Sequence, residues 1–160
     1  MRVLGIDPGI ALTGWAIVEK KDEPFLVKYG CIKTEKKDPQ EKRLLLLYKE
    51  LDGLIKKYLP DAVCIEKLFF NTNAKTALIV GEARGAVRVC CALNGLKEKE
   101  FTPLQIKMCI AGWGRADKKQ VQQMVKTILN LKEIPKPDDA ADAVAAALTY
   151  CYHNKELEKV

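Results

Sequence analysis

Asp7, Glu66, Asp139 and Asp142 are carboxylates placed where a folding chain ordinarily avoids charge. Asp7 closes the apolar run Val3-Leu4-Gly5-Ile6, and Glu66 closes Ala62-Val63-Cys64-Ile65. Asp139 and Asp142 lie in the alanine-rich stretch Asp138-Asp139-Ala140-Ala141-Asp142-Ala143-Val144-Ala145-Ala146-Ala147-Leu148. A continuous apolar run is what a central strand covered on both faces requires, and a helix apolar nearly all round is a buried one. An ionised carboxylate in either setting is costly unless it is paired or binds a metal. Carboxylate oxygens suit Mg²⁺ and Mn²⁺, and two such ions can clamp the attacking and leaving oxygens of a phosphodiester in an in-line displacement. Without metal, mutual repulsion favours protonating at least one of the acids. The chemistry to expect is therefore metal-assisted phosphoryl transfer.

The elements that position these acids can be read from periodicity. Residues 2–7, 14–18 and 25–33 read as successive strands of an antiparallel meander, with Lys20-Lys21-Asp22-Glu23-Pro24 as a charged turn. Leu44, Leu47, Tyr48, Leu51, Leu54, Ile55 and Tyr58 recur at the helical period, which predicts a helix over 40–58 that Pro60 stops. A buried strand follows over 61–66. A second long helix spans 73–93, closes at Asn94-Gly95, and carries Gly81 and Gly85 on one face. A short strand over 98–102 ends before Pro103. Asp117 with Gln120 has the capping-box pattern and starts another helix, and the last helix starts near Asp138, taken as its N-cap. This order predicts an α/β fold, a mixed β-sheet flanked by α-helices, as a single unit over 1–154 with a charged tail over 155–160.

Composition narrows the class. At 160 residues the chain is the length of one domain and can bury roughly 70% of its unfolded surface. The formal charge of +6 is compatible with a nucleic-acid partner without establishing one. No signal-type leader and no apolar stretch near the ~18 residues of a membrane span is evident. The six cysteines show no CxxC or zinc-type spacing, so they read as free thiols in a reducing, cytoplasmic setting.

The motifs Gly5-Ile6-Asp7-Pro8-Gly9-Ile10-Ala11-Leu12-Thr13-Gly14-Trp15, Ile65-Glu66-Lys67-Leu68-Phe69, Gly81-Glu82-Ala83-Arg84-Gly85 and Asp139-Ala140-Ala141-Asp142-Ala143 resemble the RuvC family of Holliday-junction resolvases, in order, from Met1 to about Asn154. The resemblance implies an RNase H-like fold, a homodimer, and Mg²⁺-dependent symmetric nicking of four-way DNA junctions, with Mn²⁺ able to substitute. It also implies a branch-migration helicase as partner and carries the catalytic, metal-holding role onto Asp7, Glu66, Asp139 and Asp142. Lys107 and Lys118 match positions where the family has functional lysines near the scissile phosphate, and Phe69 matches an aromatic that stacks on an unpaired base. Lys118 has support of its own: it falls in a helix's first turn, where a cation is disfavoured by ~0.3–1 kcal/mol.

Other basic residues are read from their setting. Arg115, in the glycine-bounded loop Gly112-Trp113-Gly114-Arg115, is suited to reach a backbone phosphate. Arg84 and Arg88 are assigned to neither DNA nor a partner subunit. Phe70 reads as a core ring, and His153 as a C-terminal dipole partner of the last helix. Two rival functions are weighed. The hairpin from Gly5 to Gly14 also resembles the phosphate loop of the actin and sugar-kinase fold, which expects a longer chain and a second such loop. A non-catalytic junction-binding module would have no reason to keep all of these acids.

Overall fold

A computed structural model describes residues 1–67 and 74–153; the side chains of residues 74–76 are outside the description. The chain order is β1 (Arg2–Asp7), β2 (Leu12–Lys20), β3 (Pro24–Lys33), α1 (Gln40–Tyr58), β4 (Ala62–Glu66), α2 (Ala74–Leu93), β5 (Lys97–Phe101), α3 (Pro103–Ala111), α4 (Lys118–Ile128) and α5 (Asp138–Tyr152). The strands form one sheet in the order β3-β2-β1-β4-β5, antiparallel across the meander and parallel from β1 to β4 to β5.

Each sheet face carries its own core. Val3, Ala16, Val18 and Cys64 point toward α3, α4 and α5, whereas Leu4, Ile6, Ile17, Val63 and Ile65 point toward α1 and α2. The two sets alternate along each strand, as period-2 side chains must, and both are buried because helices cover both faces. This is why β1 and β4 read as unbroken apolar runs.

The outer elements depart from expectation at their ends. Pro24 belongs to β3 rather than to the turn, pairing with Lys20. It is tolerated because it is the first residue of an edge strand and owes no ladder bond. A further helix, α3, was not anticipated: Thr102 accepts from Gln105 N, the Gln105 side chain accepts from Thr102 N, and Pro103 occupies the first turn. The Thr-Pro-x-Gln pattern that builds this cap was present in the sequence.

The last helix corrects a sequence reading. Pro137, not Asp138, is the N-cap residue of α5, and no side chain caps that end. Asp138 is the first helical residue and is exposed. Its carboxylate instead meets Lys118 Nζ at 3.4 Å and Gln122 Nε2 at 3.1 Å. His153 lies at the opposite, C-terminal end of α5, with its ring 5.0 Å from that of Phe101.

Candidate acidic site

α5 lies against the sheet more closely than ordinary side chains permit. A Cβ on Gly5 would stand 2.0 Å from the Ala143 carbonyl oxygen, and one on Gly14 would stand 1.9 Å from the Asp139 carbonyl oxygen. Real Cβ atoms do not approach so closely, so these glycines let the helix backbone rest on β1 and β2. The alanines of α5 complete the fit: Ala140, Ala141, Ala143, Ala145, Ala146 and Ala147 are all buried. The alanine-rich stretch itself was legible in the sequence. What comes close is the chain's own sheet.

That seating brings the acids together. Asp7 stands opposite Gly14 in the β1–β2 register, and Gly14 is in contact range of Asp139. Ile6 pairs with Ile65, so Asp7 and Glu66 leave adjacent parallel strands side by side. Asp142 lies one turn along α5, with its side chain 29% exposed. Asp7, Glu66, Asp139 and Asp142 are all half-buried.

Electrostatics report the same proximity. Burial, followed by the charges of Asp142, Glu66 and Asp139, raises the Asp7 carboxyl to about 7. Burial and then Asp142 push Glu66 up, against the pull of Lys118, Lys107 and Arg84. Asp142 is also raised, by burial first, despite its 2.8 Å contact with Lys118 Nζ. Burial pulls Lys118 down, yet its contacts with Asp142 and Asp138 leave its ammonium above the ordinary value. An oxygen-only donor set in which the acids raise one another suits a hard divalent cation, whose charge would relieve that repulsion. Among the described residues no three such side chains close on one point, and Asp142 turns an oxygen to Lys118.

The remaining sequence candidates divide. Lys107 and Lys118 line a cleft with Glu66, Pro103, Ile106, Val121, Asp142 and Ala145, so both border the acids. Lys118 reaches there because Asp117 caps α4 with Gln120, fixing the helix's first turn beside α5. Arg115 is exposed in the α3–α4 connection and does not line the cleft. Phe69 and Phe70 lie outside the described residues, as does the tail over 155–160.

Arg84 takes a role that sequence reading left open. Its side chain is only 12% exposed, its Nη1 donates to the Glu66 carbonyl oxygen at 2.7 Å, and it pairs with Glu100. It therefore ties the end of β4 to β5 from the α2 side. Arg88 pairs with Glu98 at 3.0 Å and is mostly exposed. Arg84 shows no sequence signal for its partner, because only the β4–β5 pairing places Glu100 beside it.

The chain is also similar to known proteins along its length. A family model described as crossover junction endodeoxyribonuclease RuvC matches residues 3–150. The chain is 51% identical to the RuvC crossover junction endodeoxyribonuclease of Caldanaerobacter subterraneus subsp. tengcongensis, covering 100% of this chain and 98% of that one. It is 55% identical to that of Caldicellulosiruptor saccharolyticus, over 94% of this chain and 92% of the relative. A solved structure of T. thermophilus RuvC in complex with Holliday junction substrate superposes with a TM-score of 0.91 at 36% identity, covering 95% and 93% of the two chains.

Proposed function

The chain belongs to the RuvC family of crossover junction endodeoxyribonucleases, and on that premise we propose that Asp7, Glu66, Asp139 and Asp142 would hold the metal on which phosphodiester cleavage depends. It is a metal-dependent endonuclease of RNase H-like fold that resolves four-way (Holliday) junctions in recombination and repair. The sugar-kinase and non-catalytic readings fall, since the match runs through the chain and its relatives are nucleases. No described helix is long and apolar enough to cross a membrane.

The observation that carries the site assignment is the convergence of acids from β1, β4 and α5 at one end of the sheet, close enough for three of them to raise Asp7. Mg²⁺ is the metal we assign, with Mn²⁺ as substitute; when bound, such an ion activates water and stabilises charge on the phosphate and leaving oxygens. The carboxylates would hold that ion at the end of the sheet. Lys118, paired with Asp142 in the free protein, is placed to turn to the scissile phosphate once Asp142 is engaged elsewhere. Lys107, across the cleft, acts on the same strand as a second phosphate contact. Arg115 and Phe69 are assigned to DNA as well, Arg115 as a loop contact to phosphate and Phe69 as a stacking ring.

A four-way junction has two strands to cut, so the working form we assign is a two-fold dimer matching a two-fold substrate. Support comes from α2, where Leu78 and Val89 are 68% and 57% exposed and a Cβ on Gly81 or Gly85 would meet nothing within 4 Å. A branch-migration helicase is the further partner we assign. Cleavage of an end-labelled junction with and without Mg²⁺, with nick positions mapped, tests the reading. Paired symmetric nicks that vanish on chelation are expected; cutting that persists in chelator would overturn the metal assignment.

A further inference from the structure

A second basic surface lies across α5 from Lys118. A groove runs between the outer edge of β3 and the segment that enters α5, lined by Lys28, Tyr29, Cys31, Lys33 and Lys136, among others. None of the described residues lining it is acidic. Lys28, Lys33 and Lys136 are exposed, and they form no ion pair among the described residues. Gathering like charges without a counter-ion is unfavourable, so such a groove is suited to an external polyanion. β3 is also an edge strand, whose outward backbone N–H groups are unpaired donors.

The groove is lined by residues that adjoin the acidic site in register and in sequence. Cys31 stands opposite Gly14, the residue against which Asp139 rests, and its thiol feels the charges of Asp139, Lys33 and Asp7. Lys136 and Pro137 lead directly into Asp138 and Asp139. The acids therefore sit between two cationic flanks, Lys107 and Lys118 on one side and Lys33 and Lys136 on the other. A strand that presents a phosphate to a cluster of carboxylates is repelled by them. Cations on both sides let it cross the site; cations on one side would favour its leaving by the other.

We propose that the β3 edge groove, through Lys33 and Lys136 with Lys28 behind them, binds the phosphate backbone of the cut DNA strand on the side of the scissile phosphate away from Lys107 and Lys118. The groove is a positioning surface and takes no part in bond breaking. The inference rests on reading the chain as a junction nuclease.

The test uses the full chain carrying Asp7→Asn, so that binding is read without cutting. Junction affinity is measured against salt for Lys33→Gln with Lys136→Gln, for Lys118→Gln, and for Lys57→Gln on α1 as a surface control. The paired groove substitution should weaken binding about 10-fold and reduce the slope of log affinity on log salt by about 1–2, since each lost phosphate contact contributes ~0.9. In otherwise wild-type protein, single-turnover cleavage at subsaturating enzyme should fall in step with the loss of affinity. A junction carrying a thiol-reactive group on its backbone should cross-link to Cys31 from one side of the cut site only, and Cys31→Ser should abolish the adduct. Affinity and salt slope equal to those of Lys57→Gln, with Lys118→Gln still impaired, would overturn the groove while leaving the nuclease reading intact. Failure of the Asp7→Asn protein to bind junctions at all would overturn both.

Discussion

The two ends of the sheet handle charge in opposite ways. At the end where β1 begins, Arg2, Glu19, Asp61 and the N-terminal ammonium each have an opposite partner or a backbone group. Arg2 pairs with Glu19 at 2.7 Å and also donates to the Tyr58 carbonyl oxygen, Asp61 accepts from the Arg2 N–H at 2.6 Å, and the N-terminal ammonium donates to Lys20 O at 3.0 Å. Glu19 is held below the usual carboxylate range, first by its hydrogen bond from Arg2. At the end where β1 stops, the acids face one another and Asp7 rises to about 7. One end is satisfied within the fold. The other keeps like charges together, at a cost to the metal-free protein that only an outside cation relieves.

The largest expected effect comes from removing a charge at the strained end. Asp7→Asn should cut junctions at least ~10²-fold more slowly, comparable with losing a strong transition-state contact, while binding within a few-fold of wild type. Gel shift and single-turnover cleavage on one preparation would read both. Undiminished cutting would dissolve the contrast between the two ends.

Gly14→Ala tests whether the seating of α5 creates that strain. The added methyl must displace the Asp139 backbone, so about 1–3 kcal/mol of stability should be lost together with most Mg²⁺-dependent cleavage. Denaturant melts and metal titrations followed by melting temperature would measure the two losses. Arg84→Ala should be milder in cleavage than Asp7→Asn. It leaves Glu100 without its partner and the Glu66 carbonyl oxygen without its donor, costing about 1–3 kcal/mol, and Arg84→Lys should recover only part of this.

The sign of the pH dependence follows from Asp7. Its folded value of about 7 lies above the ordinary 3.8, so the native state holds the proton more tightly than the unfolded chain. The stabilisation this gives is complete below pH ~4 and lost as pH rises through about 7. Metal-free Asp7→Asn should therefore melt above wild type at pH 8, by on the order of 2 kcal/mol, with the gap closing toward pH 4. Adding Mg²⁺ at pH 8 should reverse the order, because the wild type gains more from binding. Calorimetry at the two pH values, with and without metal, checks the sign.

The smallest effects are expected where charge is already satisfied or exposed. Arg2→Ala should lower the melting temperature by about 2–4 °C with cleavage unchanged at saturating Mg²⁺. Asp138→Ala should leave cleavage within about threefold of wild type, because its carboxylate is an exposed partner of Lys118 and Gln122 and caps nothing. A loss of cutting as large as that of Asp142→Asn would mean that the first turn of α5 meets the DNA differently.

Much of this was written in local pattern. The unbroken runs before Asp7 and Glu66 required strands covered on both faces, and the alanine run required a buried helix, so the acids are conspicuous from sequence. Capping chemistry at Asp117 was legible for the same reason: it involves neighbours three residues apart. The Thr102-Pro103-x-Gln105 cap was equally local, and the helix it starts, α3, is short.

Tertiary structure alone decided the rest, because the deciding partners are far apart in the chain. Gly5 and Gly14 matter through Ala143 and Asp139, more than a hundred residues away. Lys118 is set apart from Lys119 by Asp142, and Arg84 is turned inward by Glu66 and Glu100. Asp138 and Asp139 are adjacent and chemically identical, yet one faces solvent and the other the sheet, because a helix turns ~100° per residue and only packing determines which face is buried. Residue type and spacing are properties of the chain, so sequence determined which chemistry was available. Which groups meet depends on long-range packing, and that is what gathered the acids at one end of the sheet.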